Sequence, residues 1–188
     1  MNQKKILFVA FSLIITVCFR LFLNNGSWFN FFPIAAISLF SGSILKNQFS
    51  AYLMPLATLF ISDLAFELFT STPGFYGISQ LVNYAALFTI TFLGTKLNNQ
   101  NSMKIAGFTL GSSLFFFLVS NFGTFLSGFY GYTFQGFLDC YIMAIPFYKY
   151  ENATSFFVNS LAGDFVFSAL AFGAYYFSFA KKQINSIA

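Results

Sequence analysis

The sequence predicts an all-α membrane protein, a single integral membrane domain over residues 1–188 with about six transmembrane helices. Two observations predict this class. The chain is 57% hydrophobic and only 7% charged, and its mean hydropathy is +0.73. Because a helix needs about 20 residues to cross a bilayer, a chain of 188 residues has room for about six spans with short loops and no second domain.

The first apolar run predicts a helix at about Lys5–Leu23. Its lysines and apolar core resemble a secretory signal, but the residues that follow, CFRLFLNN, lack a small-residue cleavage pattern. We therefore expect a retained helix. The later runs predict helices at Phe32–Leu45, which is short for a crossing, and at Ser50–Phe69, Ile78–Lys96, Lys104–Phe122 and Ala153–Ala180.

The segment Thr124–Glu151 contains one more apolar stretch, GFLDCYIMAIPF, which is too short to span a bilayer alone. We expect an interfacial or re-entrant segment here, between the fifth and sixth predicted helices. Glycines alternate with aromatic residues on its approach, including Tyr130 and Tyr132. These residues predict either a lid over a ligand or an aromatic belt at the headgroup level.

The lysines predict the orientation. With six spans, one face of the membrane receives Lys4, Lys5, Lys46, Lys96, Lys104, Lys181 and Lys182, and only Lys149 and the helix-embedded Arg20 lie towards the other. The positive-inside rule then places both termini in the cytoplasm. Topology and contact with the lipid bilayer account for the net charge of +4, so the charge predicts no nucleic-acid partner.

Charged and amide side chains inside the predicted helices concentrate towards the outer ends. Asp63 and Glu67 are four residues apart, which places them on one helix face. Measured outward along the helix from its predicted start at Ser50, they lie at about 20 and 25 Å. A charge within a membrane normally faces a cavity or a partner. We therefore expect an outward-facing pocket for a small molecule, lined by Arg20, Asp63, Glu67, Asn83, Asn121, Asn159 and Asp164, with Tyr130 and Tyr132 in the lid.

Two other interpretations of these residues remain open. In the first, Arg20 pairs with Asp63 or Glu67. Asp164 then accepts hydrogen bonds from neighbouring helices, and the protein is a structural or assembly protein without a ligand. In the second, Asp63 and Asp164 share a proton and activate water, as in an intramembrane aspartyl hydrolase.

Several chemistries have no support in the sequence. The chain has no histidine, the commonest metal ligand and general base, and its two cysteines, Cys18 and Cys140, form no CxxC motif. It has no P-loop or dinucleotide-binding glycine pattern. We therefore expect a protein that is not an enzyme and that holds no cofactor or metal.

Stretches along nearly the whole chain carry a family resemblance. They are NFFPIAAISLFSG, PLATLFISDLAFE, VSNFGTFLSG, DCYIMAIPF and NSLAGDFVFSALAFG. They look like blocks of an uncharacterised bacterial family of six-helix membrane proteins. That family is similar to the substrate-binding S components of energy-coupling factor (ECF) vitamin transporters, and most similar to the solitary cobalamin-specific type.

The resemblance implies a six-helix protein of the bacterial inner (cytoplasmic) membrane that binds a vitamin in an outward pocket beneath external loops. Cobalamin or a related corrinoid is one candidate ligand, and Cys140 is then either an axial cobalt ligand or a small buried hydrophobic residue. The resemblance also implies partners, namely a transmembrane coupling subunit with two ATPases. S components topple in the membrane to release their ligand inward.

Overall fold

The computed structural model describes residues 3–22, 31–46, 49–97, 101–145 and 156–180 of the chain. Within these ranges the chain forms seven α-helices and no β-strand, so the predicted all-α class is confirmed there. In chain order, α1 to α7 are Gln3–Phe22, Ile34–Leu45, Phe49–Phe69, Ile78–Thr95, Ser102–Leu126, Phe134–Ile142 and Phe156–Tyr175. A π-helical turn, Tyr176–Ala180, continues α7.

Six of these helices correspond to the six predicted from the sequence. α5 begins earlier than predicted because Asn101 caps it, accepting a hydrogen bond from the Met103 backbone N–H at 2.8 Å. It also continues to Leu126. Residues 153–155 of the last predicted helix lie outside the described residues.

The short α6 lies in the apolar stretch predicted between the fifth and sixth helices. Thr133 caps it by accepting a hydrogen bond from the Gly136 backbone N–H at 3.0 Å. Its nine residues are far fewer than a membrane span requires.

Four helices, α3, α4, α5 and α7 with its π-helical turn, are long and apolar enough to cross a membrane. Large apolar side chains on them point away from the protein interior, among them Leu53, Leu81, Leu118 and Leu170. Apolar surface of this kind requires a lipid environment. These four helices indicate a membrane protein.

α2 is the central helix of the bundle, and every residue from Ala35 to Leu45 is buried. Its small residues allow close contact with α4. A Cβ atom added to Gly42 would collide with the Thr91 carbonyl group, and one added to Gly94 would collide with the Leu39 carbonyl group. Because α2 packs against protein on all sides, its 12 residues need not match the thickness of a bilayer.

One end of the bundle has a filled apolar core. It lies where α1 and α3 begin and where α2, α4 and α7 end, and the Phe40 ring packs edge-on against Phe172 with centroids 5.1 Å apart. The core comprises Val9, Ile37, Phe40, Ile44, Leu45, Ala51, Leu97, Phe172 and Tyr175. We call this the filled end.

The described lysines lie at the filled end. Lys4, Lys46, Lys96 and Lys104 are all at helix termini there. The side chain of Lys5 and the residues Lys149, Lys181 and Lys182 lie outside what the structure describes.

Candidate binding site

The opposite end of the bundle contains a cavity of about 770 Å³. The last turns of α1, α3 and α5 and the first turns of α2, α4 and α7 surround it, and α6 borders it. Its walls combine hydroxyl and amide groups with aromatic rings, including Phe32, Phe66, Tyr76, Phe117, Tyr130 and Phe157. We call this space the main cavity.

The structure brings some of the predicted site residues to the main cavity and leaves others outside. Those that line it are Arg20, Asn83, Asn121 and Tyr130. Those that do not are Asp63, Glu67, Tyr132, Asn159 and Asp164. A role in ligand binding stays a prediction for each.

Arg20 is held firmly at the cavity wall. Its Nη1 atom lies 2.5 Å from Asp63 Oδ1 and also donates to the Ser62 hydroxyl. Its guanidinium carbon lies 5.6 Å from the centroid of the Phe32 ring and 5.1 Å from that of Phe66. The ion pair that the sequence raised as an alternative is therefore present, between Arg20 and Asp63.

Asp63 lies behind Arg20 and is fully buried. Its second oxygen, Oδ2, accepts a hydrogen bond from Gln80 Nε2 at 2.8 Å, and Gln80 also contacts the Tyr84 hydroxyl at 3.4 Å. The sequence analysis did not identify Ser62 or Gln80. Ser62 adjoins Asp63 in the sequence, but only the packing of α4 on α3 brings Gln80 within reach.

Asn83 faces the main cavity one turn beyond Gln80. Its Nδ2 atom donates to the Tyr76 hydroxyl at 3.2 Å, and its Oδ1 atom is buried with no hydrogen-bond partner among the described residues. Tyr76 lies in the loop before α4. Burial raises the pKa of its hydroxyl, and the nearby Asp63 carboxylate raises it further, so this hydroxyl stays protonated and able to donate.

Asn121 and Tyr130 line the cavity on the side of α5 and the loop that follows it. Asn121 Nδ2 donates to the Phe117 carbonyl oxygen at 2.8 Å, which fixes the amide against its own helix. Tyr132 is 73% exposed, and its hydroxyl donates to the Leu126 carbonyl oxygen at 3.2 Å. Of the two predicted lid tyrosines, only Tyr130 therefore borders the cavity.

Glu67 is exposed near the end of α3 and accepts a hydrogen bond from the Gly74 backbone N–H at 2.9 Å. It thus tethers the loop that leads to α4. Asn159 lies in the first turn of α7 and makes interactions within the protein, but it does not line the cavity.

Asp164 of α7 is a buried cap for another helix. Its Oδ1 atom accepts a hydrogen bond from the Ala36 backbone N–H in the first turn of α2 at 2.9 Å, and its Oδ2 atom accepts one from the Ser113 hydroxyl at 2.6 Å. The N-terminal residue before α2, Pro33, supplies no side-chain cap. Asp164 therefore satisfies a backbone donor that α2 leaves open.

The two buried aspartates have separate sets of partners. Asp63 is bonded to α1 and α4, whereas Asp164 is bonded to α2 and α5, and each of the four carboxylate oxygens has a donor. Nothing in this arrangement favours a pair that shares a proton.

Cys140 of α6 lines the main cavity and is buried. Burial raises the pKa of its thiol, which favours the neutral form. Within the described ranges, no group of three His, Cys, Asp or Glu side chains is placed to hold a metal ion. A metal site built by the protein alone has no support in these residues.

A second cavity, of about 420 Å³, lies between α5 and α7 near the filled end. Its lining is mainly apolar, with a hydrogen bond of 2.9 Å between the Thr109 and Ser168 hydroxyls at its wall. It contains none of the predicted site residues.

The chain matches the model of a described protein family along nearly its whole length. The family described as "Family of unknown function (DUF6580)" matches residues 1–187. The chain belongs to this family. No curated protein and no solved structure matches it. The likeness of this DUF6580 protein to S components therefore stays a prediction.

Proposed function

We propose that this chain is the substrate-binding membrane component of a small-molecule uptake system, similar in role to the S components of ECF transporters. The observation that carries the proposal is the main cavity of about 770 Å³ at one end of the bundle, opposite the packed apolar core of the filled end. This volume lies within the usual range for small-molecule sites. A protein with one open and one filled end binds ligand from one side and releases it on the other only after rearrangement.

The proposal includes a topology. Six helices cross the membrane, namely α1 to α5 and α7, and α6 lies at the interface beside the main cavity. Because the described lysines lie at the filled end, this end faces the cytoplasm with both termini, and the cavity opens outward. In a bacterium, the membrane is the inner one.

We also propose that the chain works with partner proteins. The sequence has no P-loop pattern, so energy for uptake would come from a coupling subunit and its ATPases. The ligand is a vitamin or another small molecule. For a corrinoid, the Cys140 thiol at the cavity wall would be the protein ligand to cobalt. We propose binding and no enzymatic activity.

Native mass spectrometry tests the binding function. The full chain is purified in mild detergent from its host membranes, and we expect a discrete additional mass. Ser120 of α5 lines the cavity, so Ser120→Trp should fill it and remove that mass. Leu118 is on the same helix and 54% exposed, so Leu118→Trp should keep it.

Two results would contradict the proposal. A mass that persists in Ser120→Trp would place the bound molecule outside the main cavity. The absence of any bound mass, together with no thermal stabilisation by a panel of vitamins that includes cobalamin, would favour a structural protein without a ligand.

A further inference from the structure

The main cavity has one charged lining residue among the described residues, Arg20, and its charge is already matched. Its Nη1 atom lies 2.5 Å from Asp63, which is fully buried and does not line the cavity. An anionic ligand would therefore leave an unmatched negative charge within the membrane. A cationic ligand would find no carboxylate on the described cavity wall. Charge balance favours an uncharged ligand.

Two buried polar atoms on residues that line the cavity need partners of opposite kinds. Arg20 Nε is a donor and Asn83 Oδ1 is an acceptor, and neither has a hydrogen-bond partner among the described residues. The Tyr76 hydroxyl is a neighbour of both side chains, since it contacts Asn83 Nδ2 at 3.2 Å and interacts with Arg20. Buried polar groups are normally satisfied. A ligand edge with a carbonyl group next to an N–H group would satisfy both atoms.

The walls of the cavity favour a flat ligand. Phe32 and Phe66 line the cavity and contact the Arg20 guanidinium, so all three planar groups are fixed at one wall. At another wall, the Phe117 and Phe157 rings lie 4.6 Å apart. These two rings are in contact with each other, with their planes 56° apart, and together they give this wall an apolar aromatic surface that suits a ring system.

We propose that the main cavity binds an uncharged aromatic heterocycle with a cyclic amide edge. The ring N–H donates to Asn83 Oδ1, and the adjacent carbonyl oxygen accepts from Arg20 Nε–H. This inference rests on the proposed function and specifies its ligand. The cavity volume allows about two or three fused rings with a short substituent.

Three probes test the ligand class: quinazolinedione, which is a neutral two-ring imide, its derivative methylated at both ring nitrogens, and its carboxylate derivative. Binding to the full chain in lipid nanodiscs is measured by isothermal titration calorimetry. We expect quinazolinedione to bind. The methylated derivative should bind at least roughly tenfold more weakly because it lacks the N–H group, and the carboxylate derivative should lose at least as much. Failure of quinazolinedione to bind, or equal binding of either derivative, overturns the proposal.

Two variants assign the effects to their residues. Asn83→Leu should abolish the preference for quinazolinedione over its methylated derivative. Thr89→Leu, an exposed position on the same helix, should keep it. Asp63→Asn leaves the Arg20 charge unmatched and should shift the preference towards the carboxylate derivative. If Asp63→Asn does not fold, the comparison of probes on the unchanged protein still decides the charge preference.

The ligand class and the proposed function fail in different ways. A co-purified carboxylic acid that is lost in Ser120→Trp would overturn the uncharged class and leave the binding function standing. Absence of a co-purified molecule, together with no binding of any of the three probes and no thermal stabilisation by the panel of vitamins, would overturn both.

Discussion

The ion pair between Arg20 and Asp63 gives the sharpest stability prediction. Asp63 is fully buried and the Arg20 side chain is only 12% exposed. Asp63→Leu removes the carboxylate and leaves the Arg20 guanidinium charged and without its counterion. Breaking one partner of a buried pair costs about 3 to 5 kcal/mol. An unpaired charge in a membrane costs about 2.5 to 3.5 kcal/mol on insertion scales, so both routes give about 3 kcal/mol.

The assay is reversible unfolding in mixed micelles of mild detergent and dodecyl sulfate, followed by circular dichroism. Arg20→Met should cost a similar amount because it leaves Asp63 unpaired. The double variant removes both charges. Its loss in the free energy of unfolding should therefore be about 3 kcal/mol smaller than the sum of the losses in the two single variants. Glu67→Leu is the matched control. It removes an exposed carboxylate from the same helix, which accepts one bond from the Gly74 N–H, and should cost about 1 kcal/mol.

Additivity would refute this reasoning. If the Arg20 and Asp63 variants add to within about 0.5 kcal/mol, the two residues are energetically independent and the pair does not hold α1 to α3. An Asp63→Leu variant no less stable than Glu67→Leu would lead to the same conclusion.

Three further predictions concern helix capping, close helix contact and thiol reactivity. Asp164→Ala should lower the free energy of unfolding by about 2 to 3 kcal/mol because α2 loses its cap, and a loss below about 0.5 kcal/mol in the same assay would contradict that role. Gly94→Ala should cost about 1 to 3 kcal/mol through collision with α2. Gly107→Ala, where an added Cβ meets no atom within 4 Å, should be neutral or stabilising. If Gly94→Ala and Gly107→Ala change the free energy of unfolding equally, the close contact between α2 and α4 at Gly94 is excluded. In a Cys18→Ser background, Cys140 should react with maleimide more slowly than a free thiol at the same pH, because a raised pKa leaves less thiolate. Its rate, measured by mass spectrometry, should rise as the pH increases towards the raised pKa, and a rate equal to that of a free thiol would contradict burial.

The helices could be predicted because each depends on a local pattern. Apolar runs located the six long or central helices, and the short stretch before Pro146 located α6. Asn101 lay just outside the predicted start of α5, and it shifts this start because a capping side chain acts over only a few residues. Such signals are carried by neighbouring residues, so they can be read without the tertiary structure.

Only some of the residues that line the main cavity could be predicted from the sequence. Depth along a helix is a one-dimensional quantity, and it placed Arg20 and Asn83 correctly at one end of the bundle. It could not separate Asp63, which faces Arg20 and Gln80, from residues that face the cavity. Nor could it show that Asp164 caps α2, because that bond joins residues 128 positions apart.

The sequence by itself determined the all-α class, the apolar helices and the position of the described lysines at helix ends, because hydropathy and helix periodicity act between near neighbours. The tertiary structure alone decided that α2 is central, that Asp63 pairs with Arg20, and that the main cavity lies at one end of the described bundle. These features depend on which helix faces meet. Contacts between small residues such as Gly42 and Gly94 fix this choice, and their partners are distant in the chain.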